Sequence, residues 1–109
     1  MNNPPVEESL DPADWEALRR LAHQAIDDGF DHLQGVRDRP VWQPAPEAVV
    51  ARLRQPAPRL PQGAESAYRE FKEIVMPYSM GNTHPRFWSW FMGNGTPFAA
   101  VGCTNLSSR

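Results

Sequence analysis

Cysteine and lysine are nearly absent from this chain of 109 residues: Cys103 and Lys72 stand alone. A single cysteine excludes a disulfide framework and a Cys-rich zinc site, and it predicts a reducing, cytoplasmic compartment. No apolar run approaches the roughly 18 residues that a membrane-spanning helix needs. The opening residues lack the basic and apolar regions of a secretory signal. Neither sign of charge dominates: 11 basic residues face 13 acidic ones, for a net charge of -2. No basic face emerges to neutralise phosphates, which argues against nucleic acid as a partner. Apolar residues make up 40% of the chain, which predicts a modest core in one small domain.

Proline is abundant at 12 residues, and half of them cluster between Pro40 and Pro61. Residues 1–10 read as a flexible polar arm. Asp11 is then placed to cap a first helix, with Pro12 at its first position and Asp14 adding negative charge. Trp15, Leu18, Ala22, Ala25, Ile26, Phe30 and Leu33 recur at steps of three and four, giving one apolar face. That stripe suits either an ordinary core or a second chain. Gly29 predicts a weak point in the helix, which should end near Gly35. His23 and His32 are expected in solvent.

Residues 41–46 should be extended, with Trp42 as their anchor. A short second helix is expected over 46–54, then a linker over 55–63. A third helix is expected over 64–75. Tyr68, Phe71, Ile74 and Val75 would face inward. Glu65, Arg69, Glu70, Lys72 and Glu73 would face water, with Glu65–Arg69 and Arg69–Glu73 spaced for ion pairs. Pro77 should end it.

The chain is organised around residues 80–102, which carry Phe87, Trp88, Trp90, Phe91 and Phe98 among glycines and prolines. Rings of this size bury much area, and neighbouring glycines let a backbone approach closely. Residues 86–91 suggest a short strand or extended piece, with Phe87 and Phe91 on one side and Trp88 and Trp90 on the other. Such a strand needs cover on both faces. The fold class expected is mainly α: three helices, a proline-rich connector and a short aromatic strand or extended segment.

Chemistry-bearing residues are sparse. His84 has no partner at metal-ligand spacing. A Cys103–His84 nucleophile pair is conceivable, but Cys103 lies in an apolar run and reads as a small buried hydrophobe. Gly93–Thr96 reads as a turn, because it lacks the lysine of a phosphate-binding loop. An imine-forming lysine is normally desolvated or set beside another cation. Lys72 instead reads as a surface residue.

Several runs carry a resemblance to a known family. They are Arg39-Pro40-Val41-Trp42, Ile74-Val75-Met76-Pro77, Asn82-Thr83-His84-Pro85-Arg86-Phe87 and Met92-Gly93-Asn94-Gly95-Thr96-Pro97. In this order, from Asp11 to Val101, the chain resembles the N-terminal segment of the pyridoxal-phosphate-dependent group II decarboxylases, relatives of aromatic-L-amino-acid decarboxylase. The resemblance implies part of a larger α/β enzyme of fold type I that acts on an amino acid. It implies a homodimer whose N-terminal helices wrap the partner subunit. By position, it implies a substrate wall made of Trp90, Phe91, Met92 and Gly93, with Asn82 on a neighbouring loop. Family members of the aromatic type usually carry Phe-Pro-Thr at Phe91-Met92-Gly93 and often a Trp at Asn82, so an aromatic substrate does not follow.

The family's imine-forming lysine, ring-stacking histidine and ring-nitrogen aspartate have no matching positions here. The sequence therefore predicts a helical segment over 11–103, a polar tail over 104–109 and no cofactor domain, as in a shortened reading frame or a cut segment. Pyridoxal phosphate is not expected to bind such a chain alone. The other reading is a free-standing helical interaction module without catalysis.

Overall fold

The computed structural model describes residues 9–89 and 95–100. Its longest element, α1, spans Trp15–Gln34. Asp14 caps it, with Oδ1 accepting the backbone N–H groups of Glu16 at 2.9 Å and Ala17 at 3.0 Å. The expected cap, Asp11, lies outside the helix; its own N–H donates to Ser9 Oγ at 3.1 Å. A short acidic side chain competes poorly inside a helix and well at its entrance, so Asp14 moves the start three residues on. The helix passes Gly29 without a break and ends at Gly35, whose N–H donates to Asp31 O at 3.0 Å. A tighter turn follows over Val36–Asp38.

The second helix, α2, spans Glu47–Leu53 behind Pro46, and residues 55–63 form the expected irregular, exposed linker. The third helix, α3, spans Ala64–Glu70 after Gly63 at φ 83°. It then loosens into a wide turn over Phe71–Val75, where Met76 N–H reaches back five residues to Phe71 O. Pro77, without an N–H and with a ring that disfavours α geometry in the preceding turn, accounts for the loosening. The chain winds on through Met76–Tyr78 rather than stopping before the proline. The expected Arg69 ion pairs are not among the described ones; Arg69 instead donates to Ser66 Oγ at 3.4 Å.

No strand occurs among the described residues. Over 86–89 the aromatic segment is irregular, with Phe87 N–H closing a turn onto His84 O at 3.0 Å. A strand needs a neighbouring strand to take its backbone hydrogen bonds, and the described residues form no such ladder. Trp90 and Phe91, the rest of the expected strand, lie outside the described residues. Residues 97–100 are helical.

Packing is where sequence and structure diverge most. Among the described residues no apolar side chain is buried. The α1 stripe points outward: Trp15 is 64% exposed, Ile26 45% and Phe30 42%. It is the flank bearing Leu21 and Asp28 that meets α3. There Asp28 Oδ2 accepts from Tyr68 Oη at 2.7 Å and pairs with Lys72 Nζ at 2.8 Å. Lys72 is thus half-buried against α1, not on the wet face. Tyr68 and Lys72 are four residues apart, and that spacing places them on one helix face. Tyr68 also stacks on Phe71, with ring centroids 6.2 Å apart. An exposed pair, Arg52–Glu70 at 2.5 Å, ties α2 to α3.

The connector is held by its backbone. Trp42, its expected anchor, is 63% exposed. Gln43 Nε2 donates to Pro77 O at 2.9 Å instead. Gly81 lies so close to the connector that a Cβ there would sit 1.6 Å from Val41 O. Only a residue without a side chain fits this contact.

Two predictions follow from these contacts. Lys72 first, then Tyr68, holds the Asp28 carboxyl below its ordinary 3.8. Burial first, then Asp28, pushes the Tyr68 phenol up from 10.0 to about 12. The contribution of Asp28 is present above its ordinary value and is lost as pH falls; that of Tyr68 is present below pH 10 and is lost as pH rises towards 12. Absorbance of the phenolate should show Tyr68 ionising at about pH 12, and Asp28→Asn should lower that value part of the way. An unchanged titration in Asp28→Asn would contradict the contact. Gly81→Ala should cost about 1–3 kcal/mol, as overpacking does, and limited proteolysis should then cut faster at 79–87. Equal cutting rates would show that the backbone contact is not made.

Candidate functional site

The C-terminal half of α1, the connector and the loop after α3 enclose an open cleft of about 350 Å³. Asp28, His32, Arg39, Lys72 and His84 bring charge and hydrogen-bonding groups to it, and Val41, Met76 and Gly81 give it apolar surface. The helix ending at Gln34 turns the chain back, which is why Arg39 lies beside His32. Arg39 Nη1 contacts His32 Nδ1. Burial first, then the Arg39 charge, lowers the His32 pKa from 6.5. His32 is therefore half-buried in the cleft wall rather than in solvent, whereas His23 is exposed as expected.

Among the described residues His84 is the most enclosed polar one, 6% exposed. Its Nε2 lies 3.0 Å from Arg39 O, and its Nδ1 accepts from Arg86 N–H at 3.0 Å. Sequence reasoning weighed His84 only as a metal ligand or a partner of Cys103. No group of three potential metal ligands occurs among the described residues. The signal for its structural engagement was the Pro85 that follows, which favours a turn.

Of the residues expected in a substrate wall, Asn82 is half-buried on the turn between Gly81 and His84. Trp90, Phe91, Met92 and Gly93 lie outside the described residues, as does Cys103. The arrangement does not fit the imine-forming site of pyridoxal phosphate. Lys72 is the single lysine of the sequence, and its amine is engaged by the Asp28 carboxylate at 2.8 Å. Such a lysine is neither in an apolar pocket nor activated by a neighbouring cation, the settings that make the amine nucleophilic. No helix among the described residues is long and apolar enough to cross a membrane.

No family model matches the chain, and no solved structure matches it. It is similar to a tyrosine decarboxylase of Narcissus pseudonarcissus, with 29% identity over 101 residues, covering 89% of this chain and 20% of that protein. It is also similar to a tryptophan decarboxylase of Camptotheca acuminata, with 30% identity over 95 residues, covering 84% of this chain and 18% of that protein. The chain thus spans about a fifth of the length of these curated relatives, while the similarity runs through most of the chain itself.

Proposed function

We propose that this chain is the N-terminal segment of a pyridoxal-phosphate-dependent amino-acid decarboxylase of group II. In this reading it supplies subunit contacts and one wall of the substrate pocket, and it is inactive alone. The outward apolar stripe of α1 carries the contact role. A helix in a folded protein draws most of its stability from packing an amphipathic face, and here that face keeps Trp15, Ile26 and Phe30 largely exposed among the described residues, with only Pro97 and Ala100 beside its C-terminal half. The similarity to two plant decarboxylases over 84–89% of the chain supports the family.

Asn82 would stand at the pocket's edge, with Trp90, Phe91, Met92 and Gly93 forming its wall. None of these side chains is the electron sink; pyridoxal phosphate supplies that chemistry. The residues for holding it would come from the rest of the enzyme, as would the other half of the homodimer. An amino acid is the substrate class, and Asn82 with Met92-Gly93 would set which one.

A chimera tests this reading. Residues 11–101 would replace the aligned segment of the Narcissus tyrosine decarboxylase. The chimera should dimerise and release carbon dioxide from an amino acid, and Phe30→Asp should lower its activity at least about tenfold by burying an unpaired charge in a desolvated contact. A folded, dimeric chimera that loads the cofactor yet decarboxylates none of the common amino acids would overturn the decarboxylase reading. It would favour an interaction module without catalysis.

A further inference from the structure

Among the described residues, the buried polar group His84 joins two segments that are far apart in sequence. Its two ring contacts define its chemistry. Arg86 offers a backbone N–H, which only donates, so Nδ1 must accept and carries no proton. Arg39 offers a carbonyl oxygen, which only accepts, so Nε2 must carry the proton and donate. The ring is thus neutral, in the Nε2–H tautomer. The backbone of His84 closes the same loop: its N–H donates to Gly81 O at 2.9 Å, and its carbonyl accepts from Phe87 N–H at 3.0 Å. Gly81 in turn rests on Val41 O. Arg39, whose carbonyl takes the Nε2 proton, uses its guanidinium on His32 of α1. A continuous polar path therefore runs from α1 through the connector to the loop that carries Asn82.

We propose that His84 is a positioning residue: its imidazole, bridging Arg39 O and Arg86 N–H, sets loop 81–87 and Asn82 against the connector. Its importance for substrate rests on the decarboxylase reading; the bridge itself does not. The two ends of the bridge make different demands, so they can be separated. In His84→Asn, the side-chain oxygen remains two residues before Arg86 and can accept its N–H, but it cannot donate to Arg39. In His84→Gln, a longer amide can donate to Arg39 O while the local acceptor is lost. His84→Leu keeps an apolar bulk and loses both.

Nuclear magnetic resonance on the labelled 109-residue chain reads each part. The imidazole nitrogens of His84 should report one neutral tautomer with the proton on Nε2. Amide exchange at Arg86 should be slow in the wild type and in His84→Asn. It should be roughly tenfold faster in His84→Gln and His84→Leu, as loss of one hydrogen bond of ordinary strength implies. The Asn82 side-chain amide should keep one environment in the wild type and average in His84→Leu. Rapidly averaging tautomers in the wild type would overturn the proposal. So would equal Arg86 exchange in the wild type and His84→Leu, or an Asn82 environment indifferent to His84→Leu. Failure of the decarboxylase reading would leave all of these readouts unchanged, so the two results are distinguishable.

Discussion

One carboxylate sets the geometry. Asp28 of α1 takes a hydrogen bond from Tyr68 and an ion pair from Lys72, both on α3 and its wide turn. In a protein with a filled core, such a cluster would trim an orientation already fixed by apolar contact. Here no described apolar side chain is buried, so the directional bonds choose which flank of α1 meets α3. That choice has a consequence for the opposite side. Turning Asp28 inward turns Trp15, Ile26 and Phe30 outward, and the apolar stripe becomes a surface.

The loop region follows a second constraint, close backbone approach. Gly81 meets Val41 O where a side chain would clash, and Gln43 reaches Pro77 O. These contacts bring the connector and the loop after α3 together without apolar filling. His84 can then be enclosed between them with both ring nitrogens satisfied, which is the condition for burying a polar ring at low cost. The resulting shape is elongated, with extents of 67 × 36 × 24 Å and a radius of gyration of 18.4 Å. A compact domain of this length has a radius of about 13 Å. Elongation and a largely exposed helix face are compatible with the proposed packing along another chain.

Much of the helical layout was legible from local signals. The three- and four-residue apolar spacing gave α1, Pro46 marked the start of α2, and the Gln55–Gly63 composition gave the linker. Two local competitions were decided otherwise: Asp14 over Asp11 as the cap, and a widened turn ahead of Pro77. The larger misreadings came from assigning faces by polarity alone. Lys72 was placed in water because it is charged, although its spacing from Tyr68 put the two on one face with a common acceptor on α1. Trp42 was expected to anchor the connector because aromatics usually bury, yet backbone contact and Gln43 hold it. Partners distant in sequence, such as Asp28 for Tyr68 or Arg39 for His84, leave no local signature. Of the candidate substrate wall, Asn82 alone lies among the described residues, on the loop that His84 holds.

In the proposed reading the outward stripe of α1 is a contact surface. Sedimentation equilibrium over a wide concentration range tests it most directly, comparing the wild type with Ile26→Asp. The account predicts reversible association of the wild type that Ile26→Asp abolishes while helix content, read by circular dichroism, is retained. A wild type that stays monomeric at all concentrations, with α1 helical and its stripe in solvent, would contradict it.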